Sequence, residues 1–565
     1  MSSYKSTSII VVLVSILCYI YKLQISKEVY PPPLKYNQLT TPGDQIETIF
    51  LESWYDYVKY GFGYDIYHPI SHTGENMPSD GNPLGWIIVD SIDTMMLMYN
   101  STSLYKDEFH QEIMNVESWV ANELDYSVVN AEINIFETTI RMLGGLLSAY
   151  YLSNELNIPD STPQVYLQRA IQLADRLTPA FSQSQTGIPF SSINLLTGRA
   201  VKNHQDNGAS STAEFTTLQL EFKYLAYLTG NVTYWQLVEN VYPPLYQNND
   251  LLSPEPFDSL IPIFTLPDTG KFSTTNIRLG SRGDSFYEYL IKQYLQTHET
   301  LYYDLFRHSM DSVKRHLVGH TVGPSHLLYI GERVNGLQHG ELSSKMDHLV
   351  CFLGGALAMG ATQGAPIDEA RTAANGFWND DRESDWEMAQ NLTQTCYRMY
   401  HDNEVSGLSP EIVVFNDGTH NEEITDKNQE FYVKPLDKHT LQRPETVESI
   451  MFLHHLSSDP AQKQMYRQWG AEILDNFAKN TCVDCEVDNH RRYVSLDDCF
   501  VQPTLKRDNL ESFWLAETLK YLYLLFDDES ESKMTEWVFN TEAHVFPVLS
   551  SVELEKLGLV TGWSI

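Results

Sequence analysis

Leu441-Gln442-Arg443-Pro444-Glu445-Thr446-Val447-Glu448-Ser449-Ile450 reads as the opening of a buried helix. Pro444 suits the first helical position, where its missing N–H costs nothing. Ile450, Met451, Leu453 and Leu456 follow at roughly helical spacing and predict a helix over 446–457 that buries that face. Glu445 and Glu448 then share one face of the first turn, where the positive end of the helix dipole favours carboxylates. One such turn is an ordinary acidic helix start, but the pattern recurs. Phe136-Glu137-Thr138-Thr139-Ile140-Arg141 has the same acid-then-apolar opening. Thr212-Ala213-Glu214-Phe215 with Leu220-Glu221-Phe222-Lys223-Tyr224-Leu225 echoes Leu510-Glu511-Ser512-Phe513 with Ala516-Glu517-Thr518-Leu519-Lys520-Tyr521-Leu522.

Helical patterns cover 46–60, 86–99, 136–156, 162–182, 213–229, 234–241, 285–298, 299–318, 347–360, 385–400, 446–457, 461–480 and 510–527, joined by loops rich in Gly, Pro, Asn and Asp. Strand-like runs are short, such as 412–415 and 493–495. The echoes predict a repeated helix pair, and the lack of a short period favours a closed ring of helical hairpins over an open solenoid. The expected class is all-α with a few short β-hairpins. Alternate helices of such a ring face inward, and their N-terminal ends bring acids from distant sequence to one mouth.

The 565 residues carry 74 acidic against 38 basic side chains, a formal net charge of −36, which excludes a nucleic-acid surface. No linker-like or low-complexity stretch divides 45–565, so this region is expected to be one catalytic-size domain. Ile9–Tyr21 is apolar apart from Ser15, with Lys5 before and Lys22 after. It is short for a bilayer span and lacks a convincing small-x-small cleavage site. Residues 1–26 are therefore expected to form a cytoplasmic tip and an uncleaved signal anchor, with the bulk of the chain lumenal. Residues 27–44, with Pro31-Pro32-Pro33, are expected to be an extended stem. Three Asn-x-Ser/Thr acceptors, Asn100, Asn231 and Asn391, fit a lumenal site. Of six cysteines, Cys18 lies in the apolar segment. Cys482-Val483-Asp484-Cys485 reads as a short disulfide loop, a redox pair or half of a zinc site, and the absence of a second such pair disfavours zinc. Cys351 and Cys396 remain as a long-range bridge with Cys499 free, a pairing the sequence alone does not fix.

Glu137, Asp284, Glu288, Glu411, Glu445, Glu448, Glu517 and Glu542 lie among apolar or aromatic neighbours, and Asp90 sits in the apolar run Gly85–Asp93. Buried acids are rare unless paired or bound to something. Arg141, Arg282 and Arg443 supply some partners, and a network of buried ion pairs is the plain structural use. Nine acids exceed those partners. Crowded carboxylates raise one another's pKa, which is how one group is kept an acid while another stays a base. Chemistry that needs paired carboxyls and little else is glycoside hydrolysis. Patterns for a nucleophilic serine elbow, a phosphate loop and HExxH are missing.

The stretches WIIVDSIDT (from Trp86), FETTIRMLGGLLSAY (Phe136), GSRGDSFYEYL (Gly280), KMDHLVCF (Lys345), SPEIVVFN (Ser409), LQRPETVES (Leu441), ESFWLAETLKYLYLLF (Glu511) and FNTEAHVFP (Phe539) together resemble glycoside hydrolase family 47, the class I α-1,2-mannosidases. The likeness runs over about 45–565. It implies an (α/α)7 barrel, a Ca2+ ion at the barrel floor and an inverting exo-α-1,2-mannosidase. The substrate would be the high-mannose N-glycan of glycoproteins, trimmed by one middle-branch mannose from nine to eight. By motif, Glu137 is the acid side, acting through a water, with Asp284 its rival. Glu445 is the base, and Glu411 belongs to the same cluster. An inverting site leaves room for water, with the two working carboxyls about 6.5–9.5 Å apart. Thr541 matches a direct calcium ligand through hydroxyl and carbonyl. Waters and sugar hydroxyls would complete the shell of a cation that takes six to eight oxygens, and Glu448, Glu517 and Glu542 would hold those waters. Asp90, Arg141, Glu288, His348, Arg443 and Phe513 match the acidic and sugar-lining set. Cys351–Cys396 matches the family's structural disulfide, and Cys482–Cys485 its fungal short loop.

The resemblance also implies a monomer in the endoplasmic reticulum membrane, single-pass type II, with the catalytic domain lumenal. A lectin-like relative that marks misfolded glycoproteins is the alternative. Such relatives usually carry long extra regions, and the end of this chain about twenty residues past the calcium motif favours the plain enzyme. The motif around Asn540-Thr541-Glu542 argues against an unrelated helical toroid such as a polysaccharide lyase. Arg282 is the specificity position, since the endoplasmic reticulum type carries Arg where Golgi relatives carry Leu, and a guanidinium can fix one branch through several hydroxyls. Arg282→Leu is expected to broaden cleavage to other α-1,2-mannoses. Product counting on a nine-mannose glycan checks this, and a variant that still stops after one mannose contradicts it.

Overall fold

The computed structural model describes residues 33–564 apart from 375, 420–422, 425, 427, 488 and 489. The expected anchor in 1–26 and positions 27–32 of the expected stem lie outside the described residues. The rest of that stem packs on the domain. Lys35 N donates to Tyr105 Oη at 3.0 Å, and the first helix begins at Pro42 rather than near 46. Thr41 and Asp44 cap it reciprocally, with Asp44 N to Thr41 Oγ1 at 3.1 Å and Thr41 N to Asp44 Oδ2 at 2.9 Å.

Among the described residues, fourteen principal helices alternate between two rings. The outer ring is α1 (Pro42–Tyr60), α3 (Lys106–Asn122), α5 (Gln164–Leu177), α7 (Val232–Glu239), α9 (Thr300–His316), α11 (Asp380–His401) and α13 (Pro460–Asn480). The inner ring is α2 (Trp86–Ser101), α4 (Gly144–Glu155), α6 (Gln219–Thr229), α8 (Asp284–Thr297), α10 (Leu353–Thr362), α12 (Glu445–Leu456) and α14 (Leu519–Phe526). Inner helices pack side by side in chain order. The ring closes where Thr94 Oγ1 of α2 donates to the Ala516 carbonyl, 3.2 Å away, in the turn before α14. This is the expected (α/α)7 barrel. All ten residues of α10 are buried, as expected for a helix walled in on every side. Among the described residues, the one helical segment apolar and long enough to cross a membrane, His348–Thr372, is largely buried. Eight small antiparallel sheets of two or three strands fill the loops among the described residues.

Two elements differ from expectation. Helix α3 was not anticipated, although Phe109, Ile113, Val116 and Val120 form its buried stripe at spacings of four, three and four; acids and amides crowd between them. The helix expected over 213–229 is broken. Thr216 and Thr217 turn their hydroxyls back onto the carbonyls of Thr212 and Ala213, at 2.7 and 2.6 Å, and end the first turn. Both expected bridges are formed, Cys351–Cys396 between the turn before α10 and α11, and Cys482–Cys485 after α13, while Cys499 is a buried free thiol.

A hairpin, Trp537–Phe539 paired with Val545–Pro547, enters the barrel from the end where the inner helices finish. Its tip is pinned to several inner helices. Asn540 Nδ2 donates to the Ile140 carbonyl at 2.8 Å and to Glu221 Oε1 at 2.7 Å. The ring of His544 bridges Asp93 Oδ2 at 3.0 Å and Asp90 Oδ1 at 3.1 Å. Lys520 reaches the Ala543 carbonyl at 2.7 Å and Asp93 at 2.9 Å. Close approach requires the two glycines that start α4. A Cβ on Gly144 would stand 2.7 Å from Asn540 Nδ2, and one on Gly145 would stand 2.5 Å from the Val89 carbonyl. Gly145→Ala is expected to cost about 1–3 kcal/mol, the usual range for overpacking, in urea unfolding. A loss below about 0.5 kcal/mol, the ordinary surface value, contradicts this role.

Candidate active site

The opposite end of the barrel holds a cavity of about 300 Å³ with the hairpin tip as its floor. Inner helices present their first turns to it. Asp284 is the first residue of α8 and Glu445 the first of α12; Pro444 is the cap residue, one place earlier than expected. Glu137 and Glu214 sit in matching one-turn helices ahead of α4 and α6. Asn134 and Ser211 cap these turns by accepting from the Glu137 and Glu214 N–H groups at 2.8 and 3.4 Å. Arg141 and Glu517 lie in single π turns, Thr139–Leu143 and Trp514–Thr518, that lead into α4 and α14, a local widening common at functional sites.

Electrostatics divide the acids. Burial, with Glu288, Asp347 and Glu445 nearby, pushes Asp284 up to about 7, opposed by the Ser285 N–H at 2.9 Å. Burial acts on Glu445 in the same direction. There His348 Nδ1, 2.8 Å from its Oε2, and the Arg443 guanidinium outweigh it, and the carboxyl falls below its ordinary range. Burial raises Glu448 to about 8, against Lys292, and Glu214 to about 7, reinforced by Glu137. Glu517 and Glu542 are also pushed well up by burial. One cavity thus holds a carboxyl that is pushed up and one that is held down, at the tips of α8 and α12 with α10 between them.

Cations sit between the acids. Arg141 Nε meets Glu137 Oε2 at 3.0 Å, and its Nη1 meets Asp90 Oδ2 at 3.3 Å and Glu542. The Arg141 and Arg443 guanidinium carbons lie 5.9 and 5.3 Å from the Phe513 ring centre, an arrangement that turns the ring into a cation-faced wall. Arg282 has φ +75°, an unusual conformation for a long side chain. Its guanidinium lies over Phe264 at 4.8 Å and meets Asp206 at 3.2 Å.

At the floor, Thr541 Oγ1 donates to Glu288 Oε2 at 2.8 Å. The neighbouring carbonyls of Asn540 and Ala543 are taken by Lys292 and Lys520, whereas that of Thr541 accepts no hydrogen bond from a described residue. The donor set here is oxygen only, which suits a hard cation rather than zinc. Among the described residues no three His, Cys, Asp or Glu side chains converge as direct ligands, so a cation here would draw its shell largely from Thr541 and water.

Of the residues singled out from sequence, Glu137, Arg141, Arg282, Asp284, Glu288, Arg443, Glu445, Glu448, Phe513, Glu517, Thr541 and Glu542 line this one cavity. Three stand behind its wall: Asp90 and His348, expected among the sugar-lining set, and Glu411, expected in the catalytic cluster with Glu445. Asp90 is fully buried against His544 and Arg141. His348 is buried against Glu445, Tyr400 and Thr446. Glu411 holds Arg443 and the Leu441 N–H. Glu214 also lines the cavity and was not singled out; its signal was the Ser211-x-x-Glu214 capping pattern that repeats Asn134-x-x-Glu137. His544, Asp93, Lys520 and Lys292 had no signal beyond an apolar setting, and Asn540 was marked only by its place in the Asn540-Thr541-Glu542 motif. The acceptors Asn100, Asn231 and Asn391 are all exposed.

An (α/α) barrel with acids on its inner helix tips defines a class of carbohydrate-active enzymes, and the family follows from sequence: the profile of Glycosyl hydrolase family 47 matches residues 49–548, and the chain belongs to that family. It is 60% identical to the endoplasmic reticulum mannosyl-oligosaccharide 1,2-alpha-mannosidase of Saccharomyces cerevisiae, over 95% of this chain and 96% of the relative. It is 50% identical to the mannosyl-oligosaccharide 1,2-alpha-mannosidase of Candida albicans, over 92% and 85%. Among solved structures, the alpha-1,2-mannosidase from Trichoderma reesei superposes with a TM-score of 0.75 at 26% identity, covering 90% of this chain and 99% of the other.

An acid whose folded pKa rises from 3.8 to about 7 keeps its proton in the native state over a range where the unfolded chain releases it. Asp284 therefore makes stability fall as pH rises from about 4 to 7, and that penalty persists above. Asp284→Asn is expected to unfold at a higher temperature than the parent, by a margin that widens from pH 5 to 7 and is then flat. A margin independent of pH in calorimetry contradicts the assignment.

Proposed function

We propose that this chain is an α-1,2-mannosidase that removes one middle-branch mannose from the high-mannose N-glycan of glycoproteins in the endoplasmic reticulum, with inversion and with Ca2+ at the cavity floor. The names of its relatives support the bond and the compartment. The observation that carries the mechanism is the pair Asp284 and Glu445, one pushed up to about 7 and one held below its ordinary range, at the tips of α8 and α12 in a single cavity. Asp284 gives its proton to the glycosidic oxygen as the bond to C1 breaks. Glu445 takes a proton from the water that attacks C1 from the opposite face, so the product anomer is inverted. His348 and Arg443 keep Glu445 ionised for this task. The sequence expectation gave the acid role first to Glu137; the Arg141 ion pair at 3.0 Å leaves Glu137 the better fit for positioning water, and Asp284 for donating the proton.

Thr541, through hydroxyl and carbonyl, would hold Ca2+, with Glu288, Glu448, Glu517 and Glu542 around its waters. When bound, the ion would offer sites to sugar hydroxyls. Burial raises Glu448, Glu517 and Glu542, and a cation beside them would return these three to the ionised form. Arg282 at the rim is the group we assign to branch recognition. We further propose a monomer held by the single apolar N-terminal segment, type II, with the domain lumenal and Asn100, Asn231 and Asn391 as glycan acceptors.

Glu445→Gln is expected to lower kcat by about 10²–10⁴-fold, the usual worth of a general base, while the folded domain keeps its unfolding temperature within a few degrees. A chelator should abolish mannose release from a nine-mannose glycan, and added calcium should restore it. Release that continues without divalent cations contradicts the calcium assignment. Proton NMR on the first-formed mannose reads the stereochemistry, and retention of the α anomer contradicts inversion.

A further inference from the structure

The barrel has a second cavity, at the end through which the hairpin enters. It measures about 570 Å³ and lies between the hairpin and the last turns of α8, α10 and α12. Its chemistry is opposite to that of the acidic cavity. Leu295, Met359, Phe452, Leu456 and Val538 form the walls, and charged groups are confined to the rim, where Lys463 is paired with Glu531. Protein interiors leave few voids larger than a water, and a cavity of this size falls in the range of small-molecule sites. Three polar rings line it, those of His298, His455 and Trp537, and the Trp537 Nε1 is buried without a partner. His455 is 8% exposed, its Nε2 donates to the Leu524 carbonyl at 3.1 Å, and its buried Nδ1 has no partner. With Nε2 carrying the hydrogen, Nδ1 is an acceptor, and burial keeps the imidazole neutral by lowering it to about 4.

The wall is also continuous with the acidic cavity. Val538 lines the second cavity and Thr541, three residues on in the same hairpin, lines the first. Phe452 and Glu448 repeat that relation on α12. We propose that this floor cavity is a second ligand site, for a compact, uncharged, apolar molecule, and that its occupancy changes glycan binding by shifting the strand that carries Thr541. The shift would pass through packed neighbours with no other route required.

Phenol has the required size, neutrality and apolar ring. Equilibrium dialysis of radiolabelled phenol is run against the full chain in lipid nanodiscs, with the Thr535→Trp chain in identical nanodiscs subtracting the lipid. Thr535 is an exposed rim residue, so that variant places an indole across the opening without disturbing the core. Met359→Trp fills the cavity from inside as a second blocking variant. The expected result is one saturable equivalent of phenol on the parent and none on either variant. At saturation, the glycan KM of the parent alone should change at least threefold. Equal phenol uptake by parent and Thr535→Trp overturns the site. Saturable binding that leaves KM unchanged overturns the coupling. Neither readout depends on the calcium assignment, because the phenol count needs no catalysis and KM is compared at fixed divalent concentration.

Discussion

The position of the hairpin tip depends on a charge balance that is wholly buried. His544 lies between Asp90 and Asp93, and Lys520 lies on Asp93, all with essentially no exposure. Burial alone would neutralise each of these groups. Their contacts reverse that. The two aspartates raise His544, and Lys520 with His544 hold Asp93 down to about 2 against its burial. A buried ion pair is weak evidence for stability by itself, and its best-attested use is to fix a register. Here the register is that of a strand within a barrel. Removing one partner would strand the others, so the hairpin has one seat, and that seat sets the height of Thr541 and Glu542 below the inner helix tips.

The acidic cavity follows from this floor and from ring closure. Seven inner helices begin at the same end, and first turns favour acids. Acids from residues 137, 214, 284 and 445 are thereby gathered without any two being near in sequence. Only part of this negative charge is neutralised by Arg141, Arg443 and Lys292. Burial, reinforced by the remaining acids, pushes Asp284 up, while His348 and Arg443 hold Glu445 down against its own burial. A strong ion-pair network would have served the fold better and left no acid to donate.

The ring, and the acids at its mouth, were legible because they leave local marks: buried helix starts, an acid three places after a cap, and echoes between 136–141, 212–225 and 510–522. Twelve of the singled-out residues meet in one cavity. Asp90, His348 and Glu411 bear the same marks but hold the lining residues from behind, and nothing in a sequence distinguishes a buried acid facing a cavity from one facing an arginine. Helix α3 was missed because its apolar stripe is narrow and diluted by polar residues. The network of His544, Asp93 and Lys520 was illegible for a different reason. Its members are 93, 520 and 544 in the chain, and they come together only once the barrel has closed.

The most direct measurement is the pH dependence of kcat/KM on the high-mannose glycan for the parent and for Asp284→Asn. A bell with a basic limb near pH 7, which is lost from the residual activity of the variant, is the predicted result. A variant that keeps the same basic limb would show that another group donates the proton, and would contradict the pairing of Asp284 with Glu445.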